Sequence, residues 1–295
     1  MNNLVQSDSP LSEVNVMRWR DGVVSQASDK VAEEVPIALI YNGVSHAVML
    51  ATPQDLEDFA LGFSLSEGIL QSKSELYAVE IFTQTQGIEL RLEVAAEAFV
   101  KLKERRRNLV GRTGCGLCGA ESLEQALRLP EKLPKITVIS TEKTPSSIHT
   151  LDLSAATPVL PAIVSASSIV KVYHAIQTTQ MLQQATGATH ACAWVNVDGE
   201  VQLLREDVGR HNAMDKLIGA LAKLPSQGEG FVLTSSRASV EMVQKVALAG
   251  YKVLAAISAP TGLAIRVAQQ FDLTLVGFLR DNQFVIYANP QRIQA

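Results

Sequence analysis

Cysteine is scarce in this chain. Three occur in 295 residues: Cys115, Cys118 and Cys192. That excludes a small secreted fold stapled by disulfides, which needs more cysteines at framework spacings, and it fits a reducing compartment. Long apolar runs are missing too. No stretch approaches the roughly 18 apolar residues of a membrane-spanning helix, so none is expected. The first twenty residues, MNNLVQSDSPLSEVNVMRWR, have neither the cationic start nor the apolar stretch of a signal peptide. We read residues 1–30 as a polar tail and place the chain in the cytoplasm. There is no excess of positive charge. A net charge of −4 disfavours non-specific nucleic-acid binding by the whole surface, although a local basic patch is compatible with it. Internal repeats and low-complexity tracts are absent. What remains is 47% hydrophobic and 19% charged residues, enough to bury a core in one large or two modest domains.

Residues 35–50, VPIALIYNGVSHAVML, place two β-rich runs around Asn42-Gly43, a pair that favours the type I′ hairpin turn. Thr52-Pro53 then suits a helix start, and Leu56, Phe59, Ala60 and Phe63 recur at helical spacing. A second strand pair is predicted over 77–82 and 88–94, and a basic helix over 95–109 with Arg105, Arg106 and Arg107 near its end, where cations suit the helix dipole. Pro130 and Pro134 punctuate the chain further on, and the domain boundary is put near residue 135. The organisation expected is a tail over 1–30, an N-terminal α+β domain over 31–135 and a second domain over 136–295. In the second half, helices are expected at 167–185, 210–223, 240–249 and 262–270. Strands are expected at 190–197, 201–204, 231–234, 253–257, 273–278 and 284–287. Strands separated by helices of this length imply crossovers, hence an α/β fold with a mixed, largely parallel sheet covered by helices.

Residues 111–119 read GRTGCGLCG, four glycines in nine residues around two thiols. Two cysteines three apart can ligate metal, exchange dithiol for disulfide, or carry a transferable sulfur. A structural zinc site needs four ligands, and only this one pair is present. Cys192 lies in an apolar strand and reads as a small buried hydrophobe. Arg112 and the arginines at 105–107 lie upstream, and the helix predicted over 122–129 comes after. Cations and a helix N-terminus both lower a thiol pKa and favour the reactive thiolate. The glycines remove bulk around both thiols and permit close approach of a partner.

Several long stretches, in order, look like the FdhD/NarQ family. They are YNGVSHAVMLATPQDLEDFALGFSLSEGI, GRTGCGLCG followed by ES, TGATHACA, EDVGRHNAMDKLIG, TSSRASVEMVQKVALAG and SAPTGLAIRVAQQFDLTLVGF. The resemblance runs from about residue 35 to 287. It implies a sulfurtransferase that serves formate dehydrogenase. Such a protein takes sulfur from a cysteine desulfurase and passes it to the molybdenum bis(molybdopterin guanine dinucleotide) cofactor. It also implies a cytidine deaminase-like three-layer C-terminal domain and a homodimer. By resemblance Cys115 carries the persulfide and Cys118 is its partner. The cofactor-binding stretch maps to Phe278, Leu279, Arg280, Asp281, Asn282 and Gln283, where Asp281 and Gln283 depart from the family's Phe-x-Arg-Gly pattern and its following basic residue.

Phosphate-rich cargo needs anion sites, and strand-to-helix junctions provide them. Two junctions qualify: residues 234–237, with Ser235 and Arg237, and residues 258–261. The alternative for each is plain helix capping. Asp207, Arg210, His211, Asn212 and Asp215 crowd one hairpin-to-helix junction. We expect His211 and Asp207 to touch ligand, with Asp215 on the same helix face as His211. His46, His149 and His174 read as structural or surface residues. A hydrolytic deaminase needs His-x-Glu and Pro-Cys-x-x-Cys at its helix starts. The chain has His211-Asn-Ala and Ser235-Ser-Arg-Ala-Ser there instead, so deamination is rejected. A dithiol oxidoreductase and a cofactor chaperone without chemistry remain as alternatives to the sulfur carrier.

Overall fold

The computed structural model describes residues 9–107 and 163–295. The expected tail is in part a long antiparallel hairpin. β1 (Leu11–Arg20) pairs with β2 (Val23–Ala32) across Asp21-Gly22, both at positive φ. Alternating Val14, Val16 and Ala27 are half-buried, while Met17 and Trp19 are exposed. Strand propensity prevails over the polar composition that suggested a tail.

β3 (Val35–Tyr41) and β4 (Val44–Ala51) form the expected hairpin, with Asn42 and Gly43 at φ 44° and 80°. β5 (Leu76–Gln84) and β6 (Gly87–Val94) complete a sheet of order β4-β3-β6-β5, in which only β3 and β6 run parallel. Strict alternation buries Val35, Ile37, Leu39 and Tyr41 on one face. Two helices cover that face, α1 (Leu56–Ser66) through Phe59, Ala60 and Phe63, and α2 (Ala96–Arg107) through Ala98 and Leu102. Thr52 does not start α1. The N-cap is Asp55, and the Thr52 hydroxyl accepts from the Val208 N–H at 3.1 Å, a tertiary partner in place of a local cap.

After residue 162 the chain resumes in the short β7 (Val164–Ser165), which pairs with β14 (Ile293–Gln294) at the far end. The helix expected over 167–185 is two helices, α3 (Ala166–Thr179) and α4 (Met181–Thr186). The Thr179 hydroxyl bonds back to the Ala175 and Ile176 carbonyls. The Glu206 carboxylate takes the N–H groups of Leu182 and Gln183 and so caps the second helix. The main sheet comes next: β8 (His190–Asn196), β9 (Val201–Asp207), α5 (Arg210–Lys223), β10 (Gly230–Thr234), α6 (Val240–Leu248), β11 (Val253–Ala256), α7 (Gly262–Gln270), β12 (Thr274–Arg280) and β13 (Gln283–Ala288).

The strand order is β13-β12-β11-β10-β8-β9. Only β10, β11 and β12 are mutually parallel, and the other three pairings are antiparallel. The sheet is mixed rather than largely parallel because a hairpin closes each flank. Both faces are covered. Cys192, Trp194, Val232 and Leu254 point to α5, α6 and α7, while Ala193, Phe231, Leu233 and Ala255 point to α3. The result is a mixed α/β fold with seven α-helices among the described residues.

The two sheets are joined where α1 crosses α5. A methyl group on Gly62 would lie 1.7 Å from the Asp215 carbonyl oxygen, and one on Gly219 would lie 1.9 Å from that of Asp58. The backbones therefore touch, and no larger residue fits without separating the helices. Asp58 clamps the crossing, accepting from Arg205 Nη2 at 2.7 Å and pairing with Lys223 at 2.8 Å. Gly219→Ala is expected to destabilise the protein by about 3 kcal/mol, the upper range for overpacking. Urea unfolding checks this, and a loss under about 0.5 kcal/mol would mean that the helices separate freely.

Candidate functional site

The sheet collects most of the candidate residues at one edge. β10, β11 and β12 are parallel, so their carboxyl ends lie together. β8 begins there, with His190 opposite Asp207 at the end of β9. The first turns of α5, α6 and α7 therefore open on the same edge, where their free N–H groups favour anions. From β12 to β8 the edge spans three strand spacings, about 14 Å. This is the crevice position at which open α/β sheets bind ligands.

Two loops line its middle. After β10, the Ser235 backbone N–H donates to Ala191 O, and its hydroxyl accepts from the Ala191 N–H, both at 2.9 Å. Ser235 is thus locked to β8, and Arg237 projects into solvent. After β11, the Thr261 hydroxyl accepts from the Ala264 N–H and caps α7, so capping holds at this junction. The two loops are bridged to each other at Ala238 and Pro260.

Phe278–Gln283 forms the β12 flank of the edge. Phe278 has φ 52° and breaks the β12–β13 register, so its ring stands 43% exposed. Arg280 turns back, and its guanidinium donates to the Ile257 and Leu279 carbonyls, at 2.6 and 2.8 Å. Leu279 differs from expectation: its side chain is fully buried in the core, so only its backbone faces the edge. Asp281 meets His174 at 3.3 Å, and both are exposed. Asn282 and Gln283 line a shallow cavity of about 640 Å³ against Ala166, Ser167, Val170 and Lys171. A smaller one of about 260 Å³ lies between Phe278, Arg280, Gln283, Phe284 and Val285.

The expected ligand contacts at the start of α5 divide. Asp207 does not face ligand. Its side chain is fully buried, and its oxygens meet Lys216 Nζ at 2.7 Å and the N–H groups of Thr52 and Gly209 at 3.1 and 2.8 Å. Asn212 donates to the same carboxylate and to Leu50 O. Asp215 is likewise internal, paired with Lys245 at 2.8 Å and accepting from the Ser66 hydroxyl. Charges buried this deeply are tolerated only when paired, and the hydrogen bonds of these pairs to Thr52 and Ser66 tie the second half of the chain to the first.

His211 does lie at the edge, and the structure adds two residues that periodicity did not mark. Glu241 Oε2, in the first turn of α6, is 2.7 Å from His211 Nε2, 3.9 Å from Arg210 Nη2 and 3.1 Å from the Ser239 hydroxyl. The His211 contact has ion-pair length, and Arg210 Nε is a buried donor with no partner among the described residues. His211 holds the Glu241 carboxyl below its usual range. Half-buried His190 stands nearby, and burial, followed by the charge of Arg210, pushes its imidazole down. A carboxylate early in a helix beside Ser239 is a capping pattern, the one sequence signal that marks Glu241.

Cys192 is buried, and its thiol is pushed up to about 12 by burial, so it is no nucleophile. Cys115, Cys118, Arg112, the loop 111–119, the expected boundary near 135 and His149 lie outside the described residues. Among the described residues no helix is long and apolar enough to cross a membrane.

Comparison with known proteins covers nearly the whole chain. The model of the FdhD/NarQ family matches residues 32–157 and 139–294. A protein of Cupriavidus necator named sulfur carrier protein FdhD is 55% identical over 283 residues, which is 95% of this chain and 88% of that one. Its namesake from Bordetella petrii is 46% identical over 98% of this chain and 96% of its own length. A crystal structure described as a putative formate dehydrogenase accessory protein, from Desulfotalea psychrophila, shares the fold. Its TM-score is 0.67 at 21% identity, covering 96% of this chain and 99% of that one.

The internal role of Asp207 is open to measurement. Lys216→Met strands a buried carboxylate and is expected to destabilise the protein by about 3–5 kcal/mol. Chemical denaturation reads the loss. A cost below about 1 kcal/mol would return Asp207 to the candidate ligand contacts.

Proposed function

The chain belongs to the FdhD/NarQ family, and from that premise we propose that it is a persulfide carrier that supplies sulfur to the molybdenum cofactor of a formate dehydrogenase. The observation that carries this reading is the near full-length likeness to relatives named as sulfur carriers, joined to a thiol pair set among glycines at 111–119. Cys115 is the carrier. Its thiolate attacks the outer sulfur of a cysteine desulfurase persulfide. A bond forms between Cys115 Sγ and that sulfur, the donor's S–S bond breaks, and the electron pair leaves on the donor cysteine. Cys118 governs retention. Attack on Cys115 Sγ would close a disulfide and release hydrosulfide, so its placement controls wasteful discharge.

The cargo site is the carboxyl edge of the six-stranded sheet. Molybdenum bis(molybdopterin guanine dinucleotide) is held there as substrate, its phosphates met by Arg237, Arg280, His211 and the three helix starts, and its flat rings by Phe278. Ser235, Asp281, Asn282 and Gln283 border the same edge. The scaffold is read as cytidine deaminase-like, with a helix start after the β8–β9 hairpin and another after β10. Those positions hold His211 with Glu241 instead of a zinc-binding set, which fits cargo binding and not hydrolysis. The protein is assigned to the cytoplasm as a homodimer, with the sheet domain, 136–295, as the cargo unit.

Two experiments test this. Intact-protein mass spectrometry after incubation with a desulfurase and cysteine is expected to show no persulfide on Cys115→Ala and partial loading on Cys118→Ala. Equal loading of a double variant would remove the loop from the chemistry. Calorimetry with GDP is expected to show binding that Arg237→Ala and Arg280→Ala each weaken about tenfold, the effect of losing one charge-assisted hydrogen bond. No heat at millimolar GDP in folded protein would sink the site assignment.

A further inference from the structure

We propose that Glu241 is a displaceable place-holder, whose carboxylate occupies the cationic pocket of His211 and Arg210 until a phosphate of the ligand takes its position. The inference rests on the nucleotide reading of the same edge and goes beyond it by assigning a residue that sets affinity from the opposing side. Three observations carry it. The Glu241 carboxylate bridges the starts of two helices, α5 and α6, where an anion is electrostatically favoured. Its fit is incomplete: Arg210 Nε, a buried donor, has no partner among the described residues, and Arg210 Nη2 is 3.9 Å from the carboxylate. A diphosphate has more acceptor oxygens and more charge than one carboxylate, so it can take the His211 contact and still offer an acceptor to Arg210. Finally, Glu241 is free to leave. Its side chain is 23% exposed, so it can rotate into solvent without an uncompensated burial cost.

A carboxylate that only fastens α5 to α6 would be a different device. Removing its charge would then loosen the helix starts and weaken any ligand held there. The place-holder predicts the reverse. It competes with ligand for the same donors, so its removal frees them. Glu241→Gln keeps the shape of the side chain and removes the charge, which separates competition from packing.

The test is calorimetry with GDP on the full-length wild type and Glu241→Gln, both shown to be folded by circular dichroism. The variant is expected to bind about tenfold more tightly, the size of one charge-assisted contact regained. Unchanged or weaker binding by the folded variant overturns the proposal. If GDP is silent on the wild type, the nucleotide site fails on its own account. Inorganic pyrophosphate then decides the matter, followed through the His211 ring resonances. Perturbation at about tenfold lower pyrophosphate in Glu241→Gln supports the place-holder, and identical titrations, or none, refute it.

Discussion

The structure depends on a helix crossing so close that the two backbones touch. Gly62 and Gly219 allow α1 and α5 to meet without side chains between them. That contact brings the end of β4 against the start of α5, and the buried charges result from it. Lys216 reaches Thr52 O and Asp207 together because the first half of the chain is pressed against the second. Lys245 reaches Asp215, Ser66 and Glu67 for the same reason. A buried ion pair is weak evidence of net stabilisation, since desolvation offsets most of the attraction. Its effect here is on geometry. Each charge has one arrangement in which it is satisfied, so the register between the halves is defined.

That register sets the candidate edge. The Asp207 carboxylate accepts from the Gly209 N–H and from the Asn212 amide, which fixes the backbone turn that opens α5. Arg210 and His211 are the next residues, and they project from a turn already immobilised on both sides. A site that must hold a charged ligand benefits from donors that need no reordering on binding. The groups that hold the two halves together and those that face the edge thus sit at the end of β9 and on the first two turns of α5, divided by direction: Asp207, Asn212, Asp215 and Lys216 inward, Arg210 and His211 outward.

This division explains what the sequence could convey. Pattern located α5 and α7 to the residue and most strands within two, the outer elements by alternation of apolar and polar sides and the central strands β8, β10 and β11 as short apolar runs buried on both faces. It failed where a distant partner decided the outcome. Thr52 looks like a cap, yet Val208 takes its hydroxyl. Residues 167–185 have one continuous helical pattern, yet Glu206 caps a second helix at Met181. Asp207 and His211 belong to one polar cluster in the sequence, and nothing local tells which faces inward. The sign lies in Lys216, which apart from Asp215 is followed and preceded by apolar residues and needs a buried carboxylate wherever it points. Leu279 failed for the opposite reason. A motif carried over as a contiguous block cannot tell that the Phe278 bulge turns one side chain out and the next in.

The proposed cargo edge also reconciles an acidic protein with an anionic ligand. A net charge of −4 repels such a ligand at long range, but at physiological salt that repulsion is screened beyond about 8 Å. Within that distance only local groups count: Arg210, Arg237, Arg280 and the starts of three helices. The carboxylates nearby are mostly committed elsewhere, Asp207 to Lys216 and Asp215 to Lys245, each deep in the junction. Glu241 and the exposed Asp281 are the exceptions, and of these Glu241 is the one that faces His211 and Arg210. An empty cationic pocket would hold any passing anion, whereas an internal counter-ion admits only a ligand with enough oxygens and charge to replace it. Discrimination of this kind takes a repulsive element as well as an attractive one, and in the proposed arrangement a single acidic residue in the first turn of α6 supplies it.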